Sequence, residues 1–140
     1  FCQDWVLKNN IKEVIFEGKV PDEKIPSYYR SCDIFVSPAI FGESFGLVLL
    51  EAMACQKPVV AFANQGYKEF LKNKKGGFLA KNKNYHDLAK KIEILVNNRQ
   101  LREKMGKIAF QEAKEYSWEK ITERVLNFYQ FCLDRKKEKI

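Results

Sequence analysis

Two acidic side chains stand out in the stretch FGESFGLVLLEAMA, where nearly every other residue is small or apolar. Glu43 and Glu51 lie eight positions apart in the sequence. On a helix this is roughly 12 Å, about the reach of a sugar–diphosphate–ribose chain. Because a carboxylate offers two acceptor oxygens, one glutamate suits the hydroxyls of a sugar and the other suits the two hydroxyls of a ribose. The same spacing also arises by chance, and Glu51 would then face water from the edge of its helix.

The helix that carries Glu51 is predicted to run from about Phe45 to Cys55 and, being apolar on nearly every side, to be buried. A carboxylate inside such a helix is costly unless a partner pairs with it. The first N–H groups of the helix, at Phe45, Gly46 and Leu47, have no helical partners, so they attract phosphate or sugar oxygens. Because Gly46 has no side chain, a ligand can approach the backbone closely there.

Four short apolar runs are predicted to be the strands that position this helix. Each run is continuously apolar, which is typical of strands in a parallel sheet covered on both faces. Helical patterns separate the runs, so the predicted fold class is α/β, a Rossmann-like doubly wound parallel sheet with right-handed crossovers. Ligands of such sheets bind beyond the carboxyl ends of the strands, and Glu43 follows the second run. The four runs are Val14–Phe16, Ile34–Val36, Val59–Phe62 and Phe78–Ala80.

The predicted helices fill the spaces between these strands and most of the remaining chain. Asp22 is expected to cap the first of them, which ends at Ser31. The extra C-terminal helices have no strands between them and must pack on the sheet or reach a neighbouring domain, with Trp118 in the core. Phe1–Asn10 looks like the end of a helix, which predicts that the chain lacks the first part of its sheet. The other helices are predicted at about Tyr67–Lys72, Tyr85–Asn97, Gln100–Glu115 and from Ser117 onward.

Length and composition narrow the range of functions. The 140 residues, 46% of them hydrophobic, indicate one globular domain spanning residues 1–140. The net charge is +7, but the basic clusters Lys72–Lys75 and Arg135–Lys139 contain no interleaved aromatic residues, so nucleic acid is not an expected partner. The second cluster is expected to be solvated, with a peripheral membrane contact as the alternative. No membrane span or signal peptide is predicted. The four scattered cysteines are expected to be buried free thiols, which favours a cytoplasmic location.

The stretch SPAIFGESFGLVLLEAMACQKPVVAF resembles the nucleotide-sugar-binding signature of the retaining GT-B glycosyltransferases of group 1. The resemblance extends backward through FEGKVPDEKIPSYYRSCDIFV and forward through GGFLAKNKNYHDLAKKIEILVNN and YSWEKITERVLNFY, which is nearly the whole chain. It is strongest for the phosphatidylinositol mannosyltransferase branch. It implies that the chain is the C-terminal, donor-binding domain of a two-domain enzyme, incomplete at its start, that transfers a sugar such as mannose or glucose with retention.

The resemblance also implies roles for individual residues. In such enzymes the first glutamate, here Glu43, contacts the donor sugar and is the candidate catalytic residue, and the second, here Glu51, contacts the donor ribose. Backbone amides of the intervening stretch meet sugar and phosphate oxygens, and the loop matching Val20–Asp22 lies against the nucleotide base. The implied donor-binding residues are Glu43, Ser44, Phe45, Gly46, Leu47, Glu51, Val20 and Asp22.

Cofactor and partners follow from the same resemblance. The substrate would be a nucleotide sugar such as GDP-mannose or a UDP-sugar, used without a metal or other cofactor, and no Asp-x-Asp triplet occurs in the chain. An N-terminal acceptor-binding domain and a basic clamp on the diphosphate would lie upstream of the matched region. Membrane association would come through that domain or through the acceptor, and the isolated chain would be inactive.

The chain departs from the family pattern where a Gly-Gly-x-Pro-Glu loop is common. Here the residues are Gln65, Gly66, Tyr67, Lys68 and Glu69, which lack one glycine and the proline.

Two other functions are compatible with the sequence. A sugar-nucleotide epimerase of GT-B architecture would keep the pocket but need acid–base residues, and a binding module would keep the pocket without turnover. The single histidine, His86, is expected to be a surface residue that caps a helix beside Asp87.

Overall fold

A computed structural model describes residues 2–137. Phe1, the first residue of the predicted N-terminal helix, and Glu138 and Lys139 of the basic tail lie outside the described residues. The strands are β1 (Phe35–Ser37), β2 (Val59–Phe62) and β3 (Gly77–Ala80). The helices are α1 (Cys2–Lys8), α2 (Ile25–Ser31), α3 (Leu47–Ala54), α4 (Gln65–Leu71), α5 (Tyr85–Val96), α6 (Arg99–Lys114) and α7 (Trp118–Lys137), with a 3₁₀ turn at Asp22–Lys24 before α2.

The three strands form a parallel sheet in the order β1–β2–β3. Phe35 of β1 lies opposite Val59 of β2, which in turn lies opposite Gly77 of β3. All four residues of β2 are buried, because the central strand has neighbours on both edges and helices on both faces. The α/β class and the parallel sheet are therefore confirmed, and three of the four predicted strands lie within one residue of their predicted positions.

Alternate residues of β2 point into two separate cores, one on each face of the sheet. Val59 and Ala61 pack with α3 and α4, whereas Val60 and Phe62 pack with α5. Helix α6 contributes to both cores, through Ala109 and Ala113 on the first face and Met105 on the second. The sheet is thus covered on both faces, as the continuous apolar runs indicate.

The predicted strand at Val14–Phe16 is wrong. These residues form a loop after α1, and Ile15 is 80% exposed. A strand needs a hydrogen-bonded neighbour, and the described residues offer this segment none. An apolar run therefore predicts that a segment can form a strand. Whether it does so depends on a neighbouring strand from a distant part of the sequence.

Asparagines cap three helices, a signal that the sequence prediction missed. Asn64 accepts a hydrogen bond from the N–H of Tyr67, which starts α4 two residues earlier than predicted. Asn84 caps α5 by accepting from the N–H of Asp87, and Asn98 caps α6 by accepting from the N–H of Leu101. His86 is exposed, as predicted, but the side chain that caps α5 is that of Asn84, and the ring of His86 lies against that of Tyr85.

Asp22 is not a helix cap either. It is the first residue of the 3₁₀ turn, and no side-chain capping bond forms at the start of that turn or of α2. The proline in the first turn of α2, Pro26, has its φ angle preset for a helix and lacks the N–H that a cap would satisfy.

Helix α7 starts as predicted but does not pack as predicted. The hydroxyl of Ser117 accepts a hydrogen bond from the N–H of Lys120 at 3.4 Å, which supports its role as the cap. Trp118, however, is 84% exposed rather than in the core. Helical periodicity shows that a face can be buried, but it does not show what covers the face. The other exposed large apolar residues of α7 are Val125, Leu126, Phe128, Tyr129, Phe131 and Leu133.

The cysteines are free, as expected, but they are not buried. Cys2 and Cys132 are exposed, while Cys32 and Cys55 are half-buried. Within residues 2–137, no helix combines the length and apolar character needed to cross a membrane.

Candidate functional site

A buried pair of hydroxyls lies where β1 ends. Ser37, the last residue of β1, and Tyr67 of α4 are hydrogen-bonded through their hydroxyl oxygens at 2.7 Å, and both are buried. Burial raises the pKa of Tyr67, the bond to Ser37 lowers it, and the nearby Glu43 carboxylate raises it. The net shift is upward, so Tyr67 remains a protonated phenol beside Glu43.

Two glycines let α4 pack directly on the loop that carries Glu43. A Cβ at Gly66 would collide with the backbone carbonyl oxygen of Glu43, and a Cβ at Gly46 would lie 2.9 Å from the ring of Tyr67. Gly46 also has a φ of +101° at the position before α3, a conformation that favours glycine. The backbone around Glu43 is therefore fixed by close contacts that no larger residue permits.

A cleft of about 670 Å³ opens between this loop and the start of α4. It contains one carboxylate, from the half-buried Glu43, and one ammonium group, from the exposed Lys68. Its other polar side chains are neutral, so the cleft can accept hydrogen bonds from hydroxyls at one point and attract an anionic group at another. The lining residues are Ile40, Phe41, Gly42, Glu43, Ser44, Ala63, Asn64, Gln65, Lys68 and Asn82.

Side-chain amides anchor the loop between β1 and α3. Asn64, which follows β2, donates to the carbonyl oxygen of Ala39 at 2.9 Å. Asn82, which follows β3, donates to the carbonyl oxygen of Ile40 at 3.1 Å. The cleft thus lies at the carboxyl ends of all three strands, the position where open α/β sheets bind ligands.

The stretch between the two predicted site glutamates divides its side chains between cleft and core. Glu43 and Ser44 line the cleft. Phe45 packs edge-on against Phe70 at 5.1 Å and Tyr116 at 5.5 Å between ring centroids. Gly46 is buried, and Leu47 is 62% exposed in the first turn of α3. Gly46 can therefore serve a ligand only through its backbone, whereas the ring of Phe45 packs on Phe70 and Tyr116 and is 38% exposed.

Glu51 is exposed, so the prediction of a buried carboxylate is wrong. Helix α3 fully buries only Leu49, Ala52 and Met53, which pack against the sheet and α6, and Glu51 lies on its exposed side. Glu51 accepts a hydrogen bond from the hydroxyl of Tyr29 on α2 at 2.8 Å. Burial first, and then this bond, raises the pKa of Tyr29.

The two glutamates do not share a cleft. Glu51 borders a depression of about 300 Å³ between α3 and α6, whose other walls include Phe110 and Tyr116. Its partner Tyr29 lines a separate apolar pocket of about 290 Å³ together with Val20. The remaining residues of that pocket are Ile25, Tyr28, Cys32, Ile34 and Phe35.

Of the loop residues expected near the base, only Val20 lines a pocket. Asp22 is exposed and borders none of the cavities described above. Within residues 2–137, no three carboxylate, imidazole or thiol groups are grouped as a metal site would require.

The cleft also contains residues that sequence analysis did not select. Asn64 could have been found from its capping position before an apolar helix. Lys68 belongs to the stretch that departs from the family's Gly-Gly-x-Pro-Glu loop, but nothing in the sequence showed that its side chain would reach the cleft. Asn82 gave no local signal, because it reaches the cleft only through the packing of β3 beside the loop after β1.

A parallel α/β sheet with a polar cleft at the carboxyl ends of its strands defines a ligand-binding class of α/β domain. The family described as glycosyl transferases group 1 matches residues 2–112, and the chain belongs to that family. The resemblance to the group 1 glycosyltransferases is thereby confirmed at the level of the family.

Two relatives and one solved structure illustrate the match. The chain is 35% identical over 132 residues to an uncharacterized glycosyltransferase of Methanocaldococcus jannaschii, covering 94% of this chain and 37% of the relative. It is 31% identical over 120 residues to a phosphatidyl-myo-inositol mannosyltransferase of Mycobacterium leprae, covering 86% and 32%. Anabaena HepE, solved in complex with UDP, superposes with a TM-score of 0.83 at 25% identity, covering 92% and 35%. The chain thus spans about a third of the length of these proteins.

Proposed function

We propose that this chain is the donor-binding part of a retaining hexosyltransferase that uses a nucleotide sugar. The observation that carries the proposal is the cleft at the carboxyl ends of the strands, where Glu43 and Lys68 face the same space. The names of the related enzymes support sugar transfer, and the UDP in the Anabaena protein supports a nucleotide-linked donor. The sugar would be a hexose such as mannose or glucose.

Each end of the donor has its own set of contacts in this proposal. Glu43 accepts hydrogen bonds from the sugar hydroxyls and holds the sugar while its bond to the diphosphate breaks, with Ser44 beside it. The amides of Phe45 and Gly46 just before α3, the amide of Leu47 in its first turn, and the Lys68 ammonium group take the negative charge of the diphosphate.

The nucleoside end would lie on the other side of α3. Glu51 accepts the ribose hydroxyls, and the apolar pocket that contains Val20 receives the base. Asp22 lines none of these cavities, so Val20 and not Asp22 would contact the base.

Transfer needs groups that stabilise the leaving diphosphate better in the transition state than in the ground state. We propose that an acceptor-binding domain supplies the remaining basic groups, and that no metal is required. The chain alone would bind its donor no more tightly than about 1 mM, which corresponds to about 4 kcal/mol, and would transfer nothing. The location would be cytoplasmic, with membrane contact only through the acceptor or its domain.

The experiment is a thermal-shift screen of GDP- and UDP-sugars on the natural full-length protein, followed by a transfer assay with the best donor. Glu43→Gln is expected to abolish most transfer. Glu93→Gln, which changes an exposed glutamate on α5 outside the cleft, should transfer as well as the wild type.

Two results would contradict the proposal. Full transfer by Glu43→Gln would remove the carboxylate from the reaction. Loss of transfer in EDTA with recovery on adding a divalent ion would contradict the metal-free mechanism.

A further inference from the structure

One hydrogen bond connects the two helices on the Glu51 side. The hydroxyl of Tyr29 on α2 donates to Oε2 of Glu51 on α3 at 2.8 Å, across 22 positions of sequence. The two residues belong to different elements, so the bond is a product of the fold and not of helical spacing.

The ring of Tyr29 is held in place by its packing against β1. Its ring is half-buried and packs against the ring of Phe35 in β1 at 5.3 Å between centroids. The pKa of Tyr29 is raised above its usual value of 10.0, chiefly by burial, so the hydroxyl remains a donor at neutral pH. A rigid ring thus presents a proton at one defined point beside α3.

Glu51 has the opposite character. It is exposed, and none of the ion pairs among the described residues involves it. Without Tyr29 its carboxylate would sample several rotamers in water. With Tyr29, one oxygen is held and the other remains open to solvent as an acceptor.

We propose that Tyr29 is a positioning residue that orients the Glu51 carboxylate to receive the vicinal hydroxyls of the donor ribose. This inference rests on the proposed function, because it assumes that Glu51 meets the ribose. The ring of Tyr29 also lines the apolar pocket that contains Val20. Tyr29 would therefore contact both the pocket proposed for the base and, through its hydroxyl, the glutamate proposed to bind the ribose.

The experiment measures the affinity of the natural full-length protein for UDP and GDP and for their 2′,3′-dideoxy analogues by calorimetry. Tyr29→Phe keeps the ring and removes only the hydroxyl. It is expected to weaken binding of the tighter nucleotide about three- to tenfold and to leave binding of its dideoxy analogue unchanged. The quantity compared is the ratio of the affinity for the nucleotide to the affinity for its dideoxy analogue. Because both ligands are measured on one variant, a change in packing alters both affinities alike and cancels from this ratio.

Tyr28→Phe is the matched control. Tyr28 lines the same apolar pocket, but its hydroxyl donates to Glu17 at 2.9 Å instead of Glu51. This variant should keep the wild-type ratio of the two affinities. If Tyr28→Phe changed the ratio as much as Tyr29→Phe, the effect would belong to the pocket wall and the inference would be overturned.

Glu51→Gln separates this inference from the function on which it rests. If Glu51→Gln lowers the ratio and Tyr29→Phe does not, the positioning role is wrong and the ribose contact stands. If Glu51→Gln leaves the ratio at the wild-type value, the ribose contact itself is wrong. Absence of binding by the wild type to both nucleotides would overturn the proposed function and this inference together.

Discussion

The surroundings of Glu43 and Glu51 are built in different ways. Around Glu43 the backbone is locked by two glycine contacts and by the buried bond between Ser37 and Tyr67. Around Glu51 the side chains stand on exposed helix surfaces, and one phenol orients the carboxylate. We therefore expect changes near Glu43 to alter both stability and binding, and changes near Glu51 to alter binding more than stability.

The largest effect is expected from Gly66→Ala. The new methyl group would collide with the carbonyl oxygen of Glu43, and the loop or α4 must move. Overpacking of this kind costs about 3 kcal/mol. Urea unfolding measures the loss, and Gln65→Ala, an exposed neighbour on the same helix, is the control and should change stability little. Equal stabilities for the two variants would mean that α4 does not pack tightly on the loop.

Removing one tyrosine hydroxyl near Glu43 and one near Glu51 compares how much each contributes to the free energy of unfolding. Tyr67→Phe leaves the buried Ser37 hydroxyl without its partner and should cost about 1–3 kcal/mol of unfolding free energy. Tyr29→Phe frees an exposed carboxylate that water can solvate, so it should cost less than about 1 kcal/mol. The reverse order in denaturant unfolding would contradict the contrast between the two regions.

Alkaline pH should test the same two tyrosines. Both have a pKa raised above 10.0 in the folded protein. The unfolded chain therefore loses these protons first, so stability is fully present below about pH 10 and falls as pH rises above it. The decline between pH 9 and 11 should be shallower in Tyr67→Phe and Tyr29→Phe than in the wild type, as measured by urea unfolding at each pH. An unchanged slope in both variants would contradict the raised pKa values.

The smallest effect is expected from Lys68→Gln. Lys68 is exposed, so its attraction for a diphosphate is partly screened, and the variant should bind nucleoside diphosphate about three- to tenfold more weakly. The loss should shrink at high salt. Lys72→Gln, on an exposed lysine that follows α4 and does not line the cleft, should bind normally. If both variants lose equally, the effect is that of general charge and not of the cleft.

The sequence predicted β2 without error because all four of its residues are apolar and buried by neighbours on both faces. It misjudged Val14–Phe16 because strand pairing depends on distant residues. Helix α3 was predicted to be buried because nearly all of its residues are apolar. The prediction failed at Glu51 because apolar composition does not reveal which sides of a helix are covered by other elements. The glutamate-containing stretch identified the family, whereas Lys68 and Tyr29 reached the site through tertiary packing and could not be predicted from spacing.

The central claim is that the two glutamates hold opposite ends of one nucleotide sugar. The most direct measurement compares, by calorimetry on the natural full-length protein, the affinity for the intact donor with that for its free nucleoside diphosphate. Glu43→Gln should weaken binding of the intact donor and leave the nucleoside diphosphate nearly unchanged, whereas Glu51→Gln should weaken both by the same factor. Equal weakening of both ligands by Glu43→Gln, or unchanged affinities in Glu51→Gln, would contradict the claim.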